Sequence, residues 1–272
     1  MDKYRTYLKQ NDLLPRTISA YCYDVGLFLT RFDDATKLTP KDISDHLRRL
    51  SSGAKRKKRY LASITSYYTF LVEEGMMVIN PASGVKRPRV RPSLPKYLTQ
   101  FEVDVVRMAC PDVVTKTIVD MFYFTGVRLE ELRTCQLTSL NMDKMEIKVS
   151  GKGDKERYVP FPKSLIPLFN EYLLYRNSIR ESEDSRNYLF IKPNGKQLNV
   201  NQLQYLFRKL SKNTGIKVRA HMLRHTFATH AIQRGMSRQA VKEILGHVSV
   251  STTDWYIHLK ADVRTDYDLA FK

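Results

Sequence analysis

Two neighbouring stretches near the C-terminus decide how this chain is interpreted: H-M-L-R-H-T-F-A-T-H at 221–230 and E-I-L-G-H-V-S-V-S-T-T-D-W-Y at 243–256. In the first stretch apolar residues recur every three or four positions, which predicts an amphipathic helix that ends at Gly235. His221 and Arg224 are three residues apart on that helix. Side chains at this spacing lie on one face, so both can point into the same cleft.

The second stretch predicts a helix that Gly246 ends directly before His247. Ser251 and Asp254 then have the spacing of a capping box, which predicts a third, short helix with Tyr256 in its first turns. A helix start carries partial positive charge and free backbone N–H groups. The phenol of Tyr256 is therefore well placed to meet a phosphate.

The charge of the chain indicates its class of partner. Lys and Arg number 46 against 28 Asp and Glu, so the formal net charge of the 272 residues is +18. An excess of this size fits a polyanion, most simply nucleic acid, although a merely basic protein remains an alternative. Binding to a membrane surface fits less well, because the charge is spread along the chain rather than concentrated on one amphipathic helix.

The three cysteines, Cys22, Cys110 and Cys135, have no metal-ligand or C-x-x-C spacing and indicate a reducing, cytoplasmic compartment. The N-terminus is polar and has no apolar signal region. No stretch approaches about 18 uncharged apolar residues, so we expect no membrane span.

The first 85 residues predict an all-helical domain. Thr39, Pro40 and Asp42 form a helix start of cap, first-turn proline and capping-box acid. A later helix opens on a basic run: Lys55, Arg56, Lys57, Lys58 and Arg59. Charge runs are usually solvated faces, but at the start of an amphipathic helix this one is more consistent with a track along a phosphate backbone.

Residues 86–96 predict an extended, DNA-facing linker between two domains. Their prolines exclude a helix, and the segment is too basic for a neutral spacer. The basic residues are Lys86, Arg87, Arg89, Arg91 and Lys96. Residues 97–272 then form the second domain, which opens on another capping box formed by Thr99 and Glu102.

Two motifs in the second domain bring further basic residues into turns. In T-G-V-R-L-E-E-L (125–132) a glycine turn leaves Arg128 at the start of a helix, and Glu131 can reach back toward it. Alternating apolar residues on both sides of S-G-K-G-D predict a β-hairpin with Lys152 at its tip. Lys155 is an alternative, because the sequence does not fix the register of the turn.

The ordered set of motifs resembles the tyrosine recombinase family, which includes phage integrases and Xer proteins. The set comprises T-G-x-R-x-x-E-L, G-K-G-D-K-E-R-x-V-P-F, H-x-x-R, G-H, and a tyrosine nine residues after that last histidine. The resemblance covers nearly the whole chain. It implies a mainly α fold with a small antiparallel β-hairpin or sheet, in which a helical, SAM-like core-binding domain precedes an α+β catalytic domain.

The resemblance also implies a set of catalytic residues: Arg128, Lys152, His221, Arg224, His247, Tyr256 and Glu131. Arg128 and Arg224 would clamp the non-bridging oxygens of one scissile phosphate, since guanidinium groups match them in a bidentate way. Tyr256 would attack that phosphate and form a 3′-phosphotyrosyl intermediate. Because the covalent bond keeps the phosphodiester energy, no ATP is expected, and no metal or other cofactor either.

The remaining implied roles concern proton transfer and orientation. Lys152, or Lys155 as its alternative, would protonate the leaving 5′-oxygen, and His221 would take the tyrosine proton at neutral pH. His247 would hydrogen-bond the pentacoordinate phosphate, and Glu131 would hold the arginine and histidine in place.

The partner implied is double-stranded DNA at a specific, inverted-repeat core site. A homo-tetramer, or a hetero-tetramer with a paralogue, would act on two such sites, with the C-terminal tail docked on a neighbouring protomer or on its own chain. Xer-like and mobile-element recombinases, integrases and resolvases all remain open. Two alternatives are a type IB topoisomerase, which shares the chemistry, and a catalytically idle DNA-binding protein of the same fold.

Overall fold

The computed structural model describes residues 1–90, 96–151, 156–183, 187–246 and 256–271, with the backbone alone described for 256–262. Within these ranges the chain is mainly helical and carries one small antiparallel sheet, so the predicted fold class is confirmed.

The chain divides into two compact units, Met1–Ser93 and Leu94–Lys272. The helices of the first unit are α1 (Asp2–Gln10), α2 (Pro15–Leu29), α3 (Pro40–Arg49) and α4 (Ala54–Glu73). Their inward faces share one hydrophobic core, to which each helix contributes. Among its fully buried members are Val25, Phe28, Ile43, Ile64 and Tyr68.

The start of α3 follows the predicted signal. Thr39 Oγ1 accepts a hydrogen bond from the Asp42 backbone N–H at 3.3 Å, and Asp42 Oδ2 accepts one from the Thr39 N–H at 2.9 Å. Pro40, with no N–H to leave unsatisfied, is the first helical residue. Thr99 and Glu102 make the same reciprocal pair in the second unit. The capping boxes predicted at Thr39 and Thr99 are thus confirmed.

In the second unit, helices surround a hydrophobic core that is larger than the core of the first unit. They are α5 (Gln100–Met108), α6 (Val113–Thr125), α7 (Leu129–Thr134), α8 (Ile166–Asn177), α9 (Val200–Thr214), α10 (Ala220–Gln233), α11 (Arg238–Leu245) and α12 (Tyr256–Ala270). Helix α10 packs along α6, and this pair brings the H-x-x-R and T-G-x-R motifs of the sequence together.

The predicted hairpin forms two strands of a three-stranded antiparallel sheet in the order β1-β2-β3. The strands are β1 (Leu140–Asn141), β2 (Glu146–Ser150) and β3 (Glu156–Pro160). Ile147 pairs with Val159, and both are fully buried. Met145, which the sequence pattern assigns to the strand, instead lies in the turn before β2 with φ +50°. Strand β1 is not evident from sequence, because two residues show no alternation.

Helix α12 differs from the short helix that the sequence predicts, since it continues for 15 residues from Tyr256 to Ala270. Its length is explained by docking on its own chain. Tyr267 donates a hydrogen bond to the Phe124 carbonyl at 2.8 Å, and the Phe271 ring stacks on Phe227 with centroids 5.6 Å apart. In the isolated chain the tail therefore docks on the rest of that chain, and docking on a neighbouring protomer stays a prediction. The predicted capping box at Ser251 lies outside the described residues.

The described helices include none that is both long and apolar enough to cross a membrane.

Candidate active site

Gly126 positions the first arginine of the site. It ends α6 in the left-handed conformation, with φ +62°. A Cβ atom here would lie 2.6 Å from Phe227 Cδ1 and 2.8 Å from Leu245 Cδ2, so the turn packs directly against α10 and α11. Only glycine fits both the dihedral angle and the space. Two residues later Arg128 begins α7 as its N-cap residue.

Glu131 reaches back to Arg128, as the spacing predicts. Its Oε2 accepts from the Arg128 backbone N–H at 2.7 Å, and its Oε1 accepts from Arg128 Nη1 at 2.7 Å. The carboxylate is 2% exposed, whereas the Arg128 side chain is 35% exposed. The buried acid therefore orients a guanidinium that solvent, and hence a ligand, can still reach.

A second arginine, which is not among the predicted site residues, binds the same carboxylate. Arg157 on β3 donates from Nη1 to Glu131 Oε1 and from Nη2 to Oε2, both at 2.8 Å. Burial raises the pKa of Glu131, but the hydrogen bonds from Arg157 and Arg128 outweigh it and lower that pKa to about 2. A signal was present in the sequence: strand alternation puts Arg157 on the same face as buried Val159, an unusual position for a charge.

The ionised state of Glu131 should be a measurable source of stability. Because its folded-state pKa lies below the ordinary value of 4.5, its contribution is fully present above pH 4.5 and is lost as the pH falls toward 2. At pH 7 we expect Glu131→Gln to lower the free energy of unfolding by about 3 kcal/mol, the cost of breaking a buried ion pair. Urea unfolding followed by circular dichroism measures this difference, which should shrink between pH 5 and pH 2.

The matched control is Glu130→Gln. Glu130 forms an exposed pair with Arg133 at 2.6 Å, and such pairs contribute at most about 1 kcal/mol. Equal losses for the two variants, or a loss for Glu131→Gln that does not change with pH, would contradict this account.

The side chain of Arg224, on α10, reaches the region of Arg128 and Glu131 from the hydrophobic core. Its side chain is 4% exposed, and it donates from Nη1 to the Gly126 carbonyl and from Nη2 to the Leu245 carbonyl, the latter at 2.7 Å. Burial, followed by repulsion from Arg128, lowers the pKa of Arg224 to about 10. The guanidinium is therefore still charged at neutral pH.

His221 lies in the first turn of α10, where the positive charges of Arg224 and Arg128 act on its imidazole ring. Burial lowers the pKa of His221 first, and repulsion from His225, Arg224 and Arg128 lowers it further. A histidine with a lowered pKa is neutral at physiological pH and can accept a proton. The structure thus brings together Arg128, Glu131 and Arg224, and His221 lies on the same helix as Arg224.

Four further residues belong to the predicted site. Lys152, its alternative Lys155, and His247 lie outside the described residues. Tyr256 is the first residue of α12, and only its backbone is described.

The basic residues of the first unit fall into two groups. Lys55, Arg56 and Lys58 are exposed at the start of α4. Lys57 instead donates to the Arg48 carbonyl at 3.1 Å, and Arg59 Nη2 donates to Asp24 Oδ1 at 3.1 Å. These two side chains thus form hydrogen bonds within the first unit itself.

The described part of the linker is also exposed. Arg87 and Arg89 are exposed, and Arg91 lies outside the described residues.

Comparisons with known proteins identify the family of the chain. The model of the phage integrase family matches residues 96–262, and that of the phage integrase N-terminal SAM-like domain matches residues 1–75. A tyrosine recombinase of Thermosipho africanus is 31% identical over 266 residues, covering 92% of this chain and 91% of that protein. Tyrosine recombinase XerC of Leptospira interrogans is 30% identical, covering 96% and 88%.

Among solved structures, a lambda integrase tetramer bound to a Holliday junction has the same fold. Its TM-score is 0.74 at 16% identity, with 93% of this chain and 77% of that chain covered. Both the length of the matches and the identity to the curated relatives exceed what a shared fold alone requires. The chain therefore belongs to the phage integrase family of tyrosine recombinases.

Proposed function

We propose that this protein is a site-specific, Xer-like DNA recombinase that cleaves and rejoins DNA through a 3′-phosphotyrosyl intermediate, without metal or ATP. The observation that carries the proposal is the pair of guanidinium groups of Arg128 and Arg224. Both are fixed by bonds to protein oxygens at the end of α11, so their charges are already arranged for an anion. Such preorganised charge is the main source of electrostatic catalysis.

The two arginines keep donors for a phosphate. A guanidinium has five N–H donors, and the described contacts use two on Arg128 and two on Arg224. The remaining N–H groups suit the two non-bridging oxygens of one phosphodiester, which guanidinium matches in a planar, bidentate way. The positive charge of the pair stabilises the additional negative charge that develops in the transition state.

Four residues share the transfer of the phosphoryl group. The Tyr256 hydroxyl attacks phosphorus while its proton passes to His221, so that the new P–O bond forms on the tyrosine. The P–O5′ bond breaks, and Lys152 (or Lys155) gives a proton to the leaving 5′-oxygen. His247 hydrogen-bonds the pentacoordinate phosphate. Attack by a different 5′-hydroxyl reverses these steps and joins the strands in a new arrangement.

The assembly that we propose is a tetramer on two inverted-repeat DNA sites, made of this chain alone or with a paralogue. The lambda integrase of the same fold is described as a tetramer bound to a Holliday junction. We further propose that residues 1–85 form the core-binding domain, 86–96 the linker and 97–272 the catalytic domain. All three cysteines are free thiols, which fits action on DNA in the cytoplasm.

The start of α4 is the proposed phosphate contact of the first unit. Basic residues in a first turn oppose the helix macrodipole, so they cost stability unless an anion binds there. We expect the double variant Lys55→Gln/Lys58→Gln to bind DNA more weakly. The slope of log K against log salt should become less steep by about 2, since each lost phosphate contact removes about 0.9. Fluorescence anisotropy at several salt concentrations measures both the DNA affinity and this slope.

A control with equal loss of charge is Lys3→Gln/Lys9→Gln, on the exposed face of α1. If this pair changes the slope as much as the α4 pair does, overall charge rather than a specific contact explains the binding.

Covalent capture tests the proposed function and finds the target at the same time. A pool of nicked duplexes with a randomised core is incubated with the protein in EDTA, and the DNA that stays attached under denaturing conditions is sequenced. We expect enrichment of an inverted-repeat sequence, which wild-type protein captures and Tyr256→Phe does not.

A supercoiled plasmid with two copies of the captured sequence then separates the enzyme classes. Recombinant circles support a recombinase. Relaxation without recombinants at any sequence would identify a topoisomerase. Enrichment of bound DNA with no covalent product would identify an idle DNA-binding protein and refute the proposal.

A further inference from the structure

The last carbonyls of α11 are each bound by a different arginine. Ile244 accepts from Arg157 Nε at 2.7 Å, Leu245 from Arg224 Nη2 at 2.7 Å, and Gly246 from Arg128 Nη2 at 3.0 Å. Carbonyls at a helix C-terminus have no partner within the helix and carry partial negative charge. The three guanidinium groups therefore provide hydrogen-bond donors for these three carbonyls. The same hydrogen bonds fix the position of each arginine side chain relative to the end of α11.

Arg157 differs from the other two arginines in how its donors are used. Its Nε binds the Ile244 carbonyl, and its two terminal nitrogens bind the two oxygens of Glu131. All three nitrogens are therefore engaged with protein. A guanidinium held in this way is suited to orienting other groups rather than to contacting DNA.

The contacts of Arg157 set the geometry of Arg128. Both oxygens of Glu131 are shared: Oε1 accepts from the side chains of Arg128 and Arg157, and Oε2 accepts from the Arg128 backbone and Arg157. Arg157 thus fixes the plane of the carboxylate, and this plane fixes the direction in which the Arg128 guanidinium points.

Arg157 also contacts the other side of the site. Gly246 has φ +62°, and a Cβ there would lie 3.1 Å from the Arg157 side chain. The peptide that leads into His247 is thus packed directly on Arg157.

We propose that Arg157 is a positioning residue for DNA cleavage, which holds Arg128 and the end of α11 in one fixed arrangement through Glu131 and the Ile244 carbonyl. This inference rests on the proposed function, because it assigns Arg157 a part in that reaction. It predicts an effect on the rate of cleavage and none on DNA binding.

The first test is single-turnover formation of the covalent adduct on the captured DNA sequence. We expect Arg157→Met to react about 100-fold more slowly than wild type, the effect of a displacement of about 1 Å in a catalytic group. Arg157→Lys should also be slow, because an ammonium cannot bridge both Glu131 oxygens and the carbonyl with planar geometry. The dissociation constant for DNA should be unchanged in both variants.

A double-mutant cycle with Arg128→Lys separates positioning from a general structural role. If Arg157 acts through Arg128, the double variant Arg128→Lys/Arg157→Met reacts about as slowly as Arg128→Lys alone. Losses that multiply, or wild-type rates in Arg157→Met, would overturn the proposal.

A measurement on the free protein does not depend on catalysis. In Arg157→Met, hydrogen exchange should accelerate in peptides that contain the end of α11 and remain unchanged in α8. Unchanged exchange at α11 would overturn the proposal even if the protein proved inactive. Absence of any Tyr256-dependent adduct in wild type, with the exchange effect present, would instead overturn the proposed function while leaving the positioning contacts intact.

Discussion

Tyr256→Phe is expected to bind DNA with wild-type affinity and to form no covalent adduct. The substitution removes the single oxygen that attacks phosphorus, and loss of a nucleophile lowers turnover by a factor on the order of 10⁵ or more. The substitution retains the aromatic ring and removes only the hydroxyl group. A denaturing gel after incubation with nicked DNA in EDTA measures the adduct.

Tyr267→Phe is the matched control on the same helix. The Tyr267 hydroxyl donates to the Phe124 carbonyl in the core, so its loss should cost about 1 kcal/mol of stability and leave adduct formation intact. An adduct that persists in Tyr256→Phe would show that another residue is the nucleophile.

Arg224→Lys has the second largest expected effect. Lysine keeps the positive charge but cannot donate to the Gly126 and Leu245 carbonyls while also binding a phosphate. Removing one donor to a transition-state oxyanion costs about 10²- to 10³-fold in rate. We therefore expect adduct formation at least about 100-fold slower, with DNA binding retained, in a single-turnover assay.

The control for Arg224→Lys is Arg176→Lys. Arg176 is a similarly buried arginine whose Nε and Nη2 donate to backbone carbonyls, those of Tyr188 and Leu189. Both variants should lose stability through unsatisfied carbonyls. Only Arg224→Lys should lose activity in the fraction that remains folded, and equal losses of activity would reduce the role of Arg224 to a structural one.

The features predicted well from sequence are those that depend on neighbouring residues. The capping boxes at Thr39 and Thr99, the glycine turn at Gly126 and the Arg128–Glu131 contact each involve residues no more than three positions apart along the chain. Local hydrogen-bonding and steric rules decide such features.

The features that sequence could not predict depend on contacts between distant segments. Arg157 binds residues 26 and 87 positions away, and Arg128 binds a carbonyl 118 positions away. No periodicity encodes such pairings. The length of α12 is a similar case, because packing of Tyr267 and Phe271 on α6 and α10 extends the helix beyond its local signals.

In the proposed reaction Tyr256 becomes covalently joined to a DNA 3′-phosphate. Mass spectrometry tests it most directly: the adduct trapped in EDTA is digested with protease and nuclease, and the peptide that carries nucleotides is sequenced. We expect a nucleoside 3′-phosphate attached to Tyr256, with a free 5′-hydroxyl on the released strand. Attachment to a different residue, or a linkage through a 5′-phosphate, would contradict it.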